Sequence, residues 1–292
     1  MSSLLTNKSA MTALATLAQT QMNLAKVEDQ ISTGKRIGSA ADGASYWSIA
    51  TKMNSNVGAL GAVNDALGES ESLVGTMTAA LDGTIKVMDK IKQDLITASN
   101  PGADLAKIQT DITAQQNLLI SIGSSATFNG QNWLQTTGAV ESLVASYDST
   151  AGVSFLSFDT ANSQLFEATT GATQGILGAT GANFTTASIL ALNITAATAG
   201  DLANMLLDVE AAINSLTDAA STLGATTTNI SVQKSYISNL SDSLTLGVGA
   251  LVDANMNEAA TKLAALQVQQ QLGVQALSIS NSNTQLILAL FQ

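Results

Sequence analysis

Apolar residues recur at helical spacing near the start of the chain. Between residues 10 and 31 they fall in three- and four-residue steps, and two polar residues fill further positions of the stripe: Ala10, Leu14, Leu17, Leu24 and Ile31, with Gln21 and Glu28. This spacing predicts a heptad-like amphipathic helix. The stripe stops at residues 32–43, where three glycines interrupt any continuous helix, so we expect an ordered turn there.

A much longer apolar stripe follows between residues 46 and 100. Its spacing predicts one very long helix or two nearly collinear ones. Asn100-Pro101-Gly102 predicts a turn, because proline restricts the residue before it and glycine follows freely. A shorter helix is expected from Asp104 to about Ile122.

The character of the sequence changes after Gly123. Phe128-Asn129-Gly130 predicts a turn, and residues 140–198 are rich in Thr, Ser, Gly and Ala. Within this stretch, residues 153–155 and 156–158 alternate as short strands do. Helical spacing returns from Asp201, and a last helix is expected after the glycines of residues 247–249.

Helical segments at both ends therefore enclose a central insert. The predicted fold is mainly α: a long antiparallel helical hairpin or coiled-coil rod with both termini at one end, plus a small β-containing insert. We divide it into terminal segments at residues 1–43 and 247–292, a helical rod at 44–139 and 199–246, and the insert at 140–198.

The chain is strongly acidic. It has 11 Lys and Arg against 22 Asp and Glu, a net charge of -11, and no basic residue between Lys107 and Lys234. We expect no nucleic-acid partner, because phosphate binding needs clustered cations. No apolar run approaches the roughly 20 residues of a membrane-spanning helix, and the start lacks the pattern of a secretory signal peptide. The chain is expected to be soluble, without membrane insertion, and cytoplasmic unless another export route exists.

Catalytic and metal-binding motifs are missing from the sequence. It contains no His and no Cys, which removes His-based triads, thiolate chemistry and most zinc ligation. Four carboxylates of the insert are interpreted as solvated surface groups rather than a glycosidase pair: Glu141, Asp148, Asp159 and Glu167. We therefore expect no enzyme, no metal and no cofactor.

Both ends of the chain are neutral. The last 30 residues carry no charge, and the four charges among the first 31 sum to zero: Lys8, Lys26, Glu28 and Asp29. A helix pair in water normally displays Glu and Lys outward, whereas Gln and Ser occupy those positions here. Two interpretations stay open: the ends pair only with each other, or they are also buried against other copies. Because they bury little before assembly, we expect them to be largely disordered in the free chain.

Three separate stretches resemble bacterial flagellins. Residues 31–53, ISTGKRIGSAADGASYWSIATKM, resemble the family's Ser-Ser-Gly-Leu-Arg-Ile-Asn-Ser-Ala signature and the acidic, Ala-rich helix start after it. Residues 126–134, ATFNGQNWL, are similar to its Thr-Thr-Phe-Asn-Gly stretch. The closing segment resembles the flagellin C-terminus at Asp253, Ala254, Leu263, Gln267, Val268, Gln270, Gln271, Gly273, Leu277, Asn281, Leu288 and Leu290.

The resemblance implies a subunit that polymerises into the flagellar filament outside the cell and contacts other copies of itself. In flagellins the terminal segments pair as an inner coiled-coil domain, the long helices form a surrounding layer, and the insert projects outward. The resemblance also implies export of the unfolded chain through the flagellum's type III channel. The further partners would be the export apparatus, the filament cap and the junction proteins.

Two sets of residues receive roles through this resemblance. The turn between the inner and rod domains is expected at Gly34, Arg36, Ile37 and Asp42, with an Arg36–Asp42 salt bridge fixing the turn. Packing between subunits is expected at Leu14, Leu17, Leu24, Ile31, Leu263, Leu266, Leu277, Leu288 and Phe291.

The chain departs from the family in a helix motif that innate immune receptors read. The family's Leu-Gln-Arg-Val-Arg-Glu-Leu aligns with residues 88–94, which include Lys90 and end in Asp94 instead of leucine. Because a carboxylate is poorly buried in an apolar contact, we expect weak or no binding to such a receptor. Two alternatives to a filament subunit stay open: a hook–filament junction protein, and an adhesin or glycan-binding module built on the insert.

Overall fold

The computed structural model describes residues 7–135, 140–166, 174–184 and 187–289, and it describes side chains of the last helix as far as Ser282. The mainly α fold with a small β-containing insert is confirmed. In chain order the elements are α1 (Lys8–Thr33), α2 (Ala40–Ala98), α3 (Leu105–Ser125), β1 (Val140–Asp148), β2 (Gly152–Asp159), α4 (Ala199–Val252) and α5 (Met256–Ala289). Short 3-10 turns lie at Thr160–Asn162 and Ile189–Ala191.

The chain forms two compact units. The first combines residues up to Val57 with those from Asp242 onward, and the second runs from Gly58 to Ser241. In the first unit α1 packs along α5. In the second, the ion pairs Lys92–Glu210 and Lys234–Glu71 join α2 to α4 in opposite chain order. Each unit therefore contains an antiparallel helix pair made from the two halves of the chain, as the predicted hairpin requires.

The turn predicted at residues 32–43 is present but shorter. α1 ends at Gly34, whose φ of 70° lies in the left-handed region that glycine adopts freely. α2 begins after Ser39, whose backbone N and Oγ donate to Asp42 Oδ2 at 3.1 and 2.9 Å. This capping arrangement holds the pKa of the Asp42 carboxyl below its usual value. Gly43, expected as a break, is instead a kink inside α2.

The helix break predicted at residues 247–249 is wrong. α4 continues through both glycines to Val252, and the chain turns at residues 253–255 before α5 begins. A glycine costs a helix only about 1 kcal/mol relative to alanine, so two of them do not end a helix that is packed. A Cβ on Gly247 would lie 2.8 Å from Met53 Cε, so this glycine permits close packing on α2. The turns predicted at residues 100–102 and 128–130 are both present.

An apolar layer shared by three helices holds the second unit together. Its fully buried members include Met77, Leu81, Met88, Ile91 and Leu95 of α2, Ile112 and Leu119 of α3, and Met205, Val209, Leu216 and Ile230 of α4. Burying a side chain of this size contributes roughly 1.5–3 kcal/mol. The long apolar stripe therefore marks the main core of the protein.

Serine and threonine hydroxyls in the helices bond to their own backbone. At buried positions Ser70, Thr84 and Thr226 donate to the carbonyl four residues earlier, at 2.8–2.9 Å. Thr97 and Thr217 form the same bond on exposed faces. The helices can thus carry many hydroxyls without leaving donors unsatisfied.

The insert begins with an antiparallel hairpin that the sequence predicts only in part. Residues 153–158, expected as two short strands, form the single strand β2, which pairs with β1 along its length. A register shift at Ala145 interrupts the alternation in β1, which is why the sequence pattern does not predict this strand. On the inner face, Phe158 stacks on Trp133 with ring centroids 5.3 Å apart.

A buried glutamine ties the end of the insert to α3. Gln116 donates Nε2 to the carbonyl oxygens of Ile189 and Leu192 at 2.9 and 3.1 Å. Gln109 adds a bond from its Nε2 to the Leu192 carbonyl at 3.2 Å and accepts from the Ile194 backbone N at 2.7 Å. These amides replace the backbone partners that an irregular segment lacks.

A single carboxylate ties another part of the insert to α4. The buried Asp208 accepts bonds from the backbone N of Asn183 and Phe184 at 3.0 and 2.7 Å, and from Asn183 Nδ2 at 2.7 Å. Burial acts to raise the pKa of Asp208, but the hydrogen bonds outweigh it and hold the pKa below its usual value.

Replacing Asp208 by Asn should loosen this attachment. Asn offers one carbonyl oxygen and turns an NH2 group toward backbone N–H donors, so we expect the free energy of unfolding at neutral pH to fall by roughly 2 kcal/mol. Because the folded-state pKa is lowered, the wild-type advantage is present above the ordinary Asp pKa of about 3.9 and is lost as pH falls through the folded pKa. Urea unfolding of both proteins across this pH range measures the difference, and a difference that does not change with pH would contradict the assignment.

Candidate functional site: the terminal helix pair and its junction

α1 and α5 pack along one seam. The half-buried and buried positions of α1 repeat in steps of three and four: Ala10, Ala13, Leu17, Thr20, Leu24, Val27 and Ile31. On α5 the half-buried positions are Leu263, Leu266, Gln270, Gly273, Leu277 and Ser280. The prediction is wrong for the heptad row of Leu14, Gln21 and Glu28, which is exposed. The adjacent row, with Thr20 and Val27, is buried instead. Val27 is apolar, and the Thr20 hydroxyl is satisfied because it donates to the Thr16 carbonyl at 2.9 Å.

Small and polar side chains fix the register of the pair. A Cβ on Gly273 would lie 3.2 Å from Leu17 Cδ1, so glycine lets the two helices approach closely here. Toward the chain ends, Asn7 Nδ2 donates to the Ser280 carbonyl at 3.0 Å, and the hydroxyls of Ser9 and Ser280 lie 2.8 Å apart. The start of α1 therefore lies beside the last part of α5 whose side chains are described.

The pair leaves much of its apolar surface in water. In α1 only Thr20 and Val27 are buried, and among the described side chains of α5 only Ala259 is. Seven larger apolar side chains are more than half exposed: Met11, Leu14 and Met22 on α1, and Val268, Leu272, Val274 and Ile279 on α5. Large exposed apolar patches are common at the interaction sites of proteins.

The nine residues expected between subunits, which are seven leucines, one isoleucine and one phenylalanine, fall into three groups. Leu17, Leu24, Ile31, Leu263, Leu266 and Leu277 are half-buried on the seam of the pair. Leu14 is 58% exposed on the outer face. The side chain of Leu288 and all of Phe291 lie outside the described residues. Contacts with other copies stay a prediction for all of them.

The α1–α2 turn and the α4–α5 turn are joined by backbone hydrogen bonds. The Val252 carbonyl accepts from the backbone N of Arg36 and Ile37 at 2.7 and 3.2 Å, and the Gly34 carbonyl accepts from Ala254 N at 2.9 Å. A helix leaves its last four carbonyls without internal partners, and here the other turn supplies the donors. Beneath them Ile37 is buried with Ala50, Val248 and Val252.

Arg36 completes this junction from its exposed side. Its Nη2 donates to the Leu251 carbonyl at 2.9 Å, and its guanidinium carbon lies 5.9 Å from the centroid of the Tyr46 ring. The expected Arg36–Asp42 salt bridge is therefore wrong. Asp42 is held at the start of α2 by Ser39 and lies 3.5 Å from Lys26 Nζ instead. Of the four predicted turn residues, Gly34, Arg36 and Ile37 meet at the junction.

The net charge is divided unequally between the two units. The first unit has six basic and six acidic residues, and the second has five basic and sixteen acidic residues. The full net charge of -11 therefore belongs to the second unit. The exposed apolar surface of the terminal pair lies in a unit without net charge, which suits close approach of identical copies.

Two of the four insert carboxylates, Asp148 and Asp159, serve local turns, and Glu167 lies outside the described residues. Asp148 Oδ1 accepts from the backbone N of Thr150 and Ala151, which lowers the pKa of Asp148. Asp159 caps a 3-10 turn through Ala161 N at 2.9 Å. Within the described ranges, no three His, Cys, Asp or Glu side chains are grouped as a metal site, and no helix is long and apolar enough to cross a membrane.

Comparison with known proteins matches both ends of the chain to one family. Residues 4–139 match the model of the bacterial flagellin N-terminal helical region, and residues 206–291 match that of the C-terminal helical region. The chain is 42% identical to flagellin C of Rhizobium meliloti (strain 1021) and 42% identical to a flagellin of Brucella melitensis, with 100% of each chain covered. It is 34% identical to flagellin A of Rhizobium meliloti over the same full coverage.

A solved structure shows a weaker similarity. The crystal structure of Bacillus cereus flagellin aligns with a TM-score of 0.43 and 16% identity, covering 58% of this chain and 86% of that one. The family assignment does not depend on this structure, since the full-length relatives suffice.

Replacing Arg36 by Met should loosen the junction, because Met keeps an apolar stem and removes the donor to Leu251. We expect the free energy of local opening at the junction to fall by about 1 kcal/mol. Hydrogen exchange should then be faster at the backbone amides of residues 36 and 37, which bond to the Val252 carbonyl. Lys52→Met, which removes the same charge from an exposed position of the same unit, should leave this exchange unchanged. If exchange became equally faster in both variants, the effect would come from the lost charge and not from the lost donor.

Proposed function

The chain belongs to the bacterial flagellin family, and we propose that its terminal helix pair forms the self-association surface through which it polymerises. Its function is structural: it is a subunit of the flagellar filament outside the cell, and it is not an enzyme. The observation that carries the proposal is the exposed, uncharged apolar surface of α1 and α5.

The apolar surface and the neutral tail favour burial against other copies. Seven large apolar side chains of the pair remain more than half exposed, and the last 30 residues contain no charge to desolvate. Covering the remaining exposed area of one such side chain contributes on the order of 1 kcal/mol, so association draws on several of them together. Residues 286–292, including Leu288 and Phe291, extend the same uncharged sequence, and we assign them to contacts with neighbouring copies.

The segments of the chain then take different positions in the filament. Residues 1–43 and 247–292 form the inner domain, residues 44–139 and 199–246 the surrounding rod domain, and residues 140–198 the outward insert. The charge distribution supports this arrangement, because the second unit carries the acidic surface that favours solvent. We assign the junction of Gly34, Arg36 and Ile37 to the boundary between the inner and rod segments, and its backbone bonds between the two turns support this assignment.

The weak packing between α1 and α5 supports export of the unfolded chain through the flagellar type III channel. A chain that travels unfolded must lose its helices first, and a pair with so few buried side chains costs little to separate. The export apparatus, the filament cap and the junction proteins are the partners proposed along this route. Each would meet the terminal segments before they are buried in the polymer.

Assembly can be tested on the outer face of α5. The double variant Leu272→Ser/Ile279→Ser removes two exposed apolar side chains without touching the seam. We expect unchanged helicity of the monomer and a critical concentration for seeded polymerisation raised at least about tenfold, since 1.4 kcal/mol suffices for that factor. Sedimentation and electron microscopy of seeded samples measure this.

Two further proteins make the assembly experiment specific. Val153→Ser alters an exposed apolar residue of the insert and should polymerise like the wild type, because the insert projects outward in the proposal. A chain lacking residues 286–292 should stay monomeric yet helical. Normal polymerisation of the α5 double variant would show that this face is not a subunit contact.

We also propose weak recognition by the innate immune flagellin receptor. Asp94 places a carboxyl where the family has leucine, and a receptor contact would have to desolvate it further. Burial within the chain already disfavours its charged form and raises the pKa of Asp94, with Lys90 opposing and Asp111 adding to the shift. Its Oδ2 is enclosed and has no hydrogen-bond partner among the described residues. Met88 and Ile91 of the same motif are buried in the chain's own core.

A receptor reporter assay with purified monomer tests this proposal. We expect the wild type to give little signal and Asp94→Leu, which restores the family's residue, to raise it severalfold. Asp89→Leu, a change of the same kind at an exposed position of the motif, is the matched control and should not raise it. Strong activation by the wild type would refute the proposal.

A further inference from the structure

The turn between α3 and β1 contains the single Asn-Gly pair of the sequence, Asn129-Gly130. Asn129 is the one non-glycine residue with a positive φ, 50°, in the described part of the chain, and Gly130 follows with φ 80°. Phe128 and Gln131 close the turn with two reciprocal backbone bonds of 2.9 Å. The Asn129 side chain leaves the turn and donates Nδ2 to Glu69 Oε1 of α2 at 3.0 Å.

We propose that Asn129 is a covalent modification site, at which attack by the Gly130 backbone nitrogen converts the side-chain amide to a carboxylate and breaks the tie to Glu69. This inference goes beyond filament formation and does not depend on it. Asn is among the thermolabile residues of proteins, and the structure indicates why this one should react before the others.

The reaction uses only groups of the turn and water. The Gly130 nitrogen bonds to Asn129 Cγ and gives up its proton to solvent, while the Cγ–Nδ2 bond breaks and the nitrogen leaves as ammonia. A five-membered succinimide ring results. Water then opens the ring at either carbonyl, which yields aspartate or, when the backbone is rerouted through the side chain, isoaspartate.

Three features of the turn favour this attack. Gly130 has no side chain, and even an added Cβ would meet nothing within 4 Å, so the attacking nitrogen is unobstructed. Its N–H donates to no group among the described residues. Both Asn129 and Gly130 are exposed, so water reaches the ring and ammonia leaves freely.

The fold opposes the reaction only weakly. Asn129 must leave its left-handed conformation before Cγ can approach the Gly130 nitrogen. Three hydrogen bonds at the surface hold it there: the two that close the turn and the one to Glu69. Openings of such exposed turns are frequent compared with unfolding of the core.

Three other asparagines that precede a small residue are protected. Asn54 and Asn214 precede serines, but both lie inside helices, where the next backbone N–H is part of the hydrogen-bond ladder. Asn162 also precedes a serine, and the Ser163 N–H is bonded to the Thr160 carbonyl at 3.1 Å. These residues serve as internal controls in the same molecule.

Conversion of Asn129 to a carboxylate turns its attractive contact with Glu69 into a repulsive one. The Asn129 amide donates to the Glu69 carboxylate, whereas a carboxylate at residue 129 has no donor and faces Glu69 as a like charge. The turn is therefore released from α2 when the conversion occurs. Because deprotonation of the Gly130 nitrogen assists the attack, the conversion should become faster as pH rises above neutral.

The test ages the native full-length chain in mildly alkaline buffer and follows each asparagine by peptide mass spectrometry with isoaspartate detection. We expect Asn129 to convert at least severalfold faster than Asn54, Asn162 and Asn214, and Asn129→Gln, whose ring closure is slower, to abolish the signal. Conversion of Asn129 no faster than the three internal controls overturns the proposed site.

A second measurement tests the effect on the contact. Asn129→Asp mimics the product and should lower the thermal midpoint of the chain, and Asn129→Asp/Glu69→Gln should restore it by returning an amide to the pair. Glu69→Gln alone is the control. If Asn129→Asp melts like the wild type, or Glu69→Gln fails to rescue it, the proposed release of the turn is wrong.

Discussion

The first unit depends on how the end of α4 satisfies its last carbonyls. Arg36 and Leu251 are 215 residues apart in the chain, yet the donors for Leu251 and Val252 come from the turn after α1. The two turns thereby become one structure, and α1 and α5 leave it side by side. Without these bonds, each carbonyl left without a partner would cost the fold roughly 1 kcal/mol or more, and the point from which α1 and α5 run side by side would no longer be fixed.

The two units differ in the size of the apolar core that stabilises them. The second has a large apolar core and carries the whole net charge, as is common for an independently folded globular domain. The first has a small core around Ile37, no net charge and a helix pair that buries few side chains. Few buried side chains hold this helix pair together, so it separates more easily than the helices of the second unit.

Long-period features were predictable from the sequence, and features that depend on distant contacts were not. The regular apolar spacing from Met77 to Leu95 predicts α2. Five of its side chains, Met77, Leu81, Met88, Ile91 and Leu95, are fully buried in the structure. In α1 the spacing is compatible with two adjacent rows of seam positions. Leu14 suggests the row that includes Gln21 and Glu28, whereas the structure buries the row that includes Thr20 and Val27. Arg36 has Asp42 near it in sequence, but its partner Leu251 is visible only in three dimensions. The same holds for Asp208, whose bonds to the insert leave no local pattern.

The hydroxyl groups that bond to their own helices have a consequence for hydration. The hydroxyl of a threonine such as Thr12 or Thr16 of α1 already donates a hydrogen bond to a carbonyl of the preceding turn. Covering it displaces few strongly held waters, in contrast to a lysine or a glutamate, whose dehydration is costly. Helix faces rich in such residues are polar in composition but easily dried, so two copies can meet across them without the enthalpic loss that a conventionally charged helix would suffer.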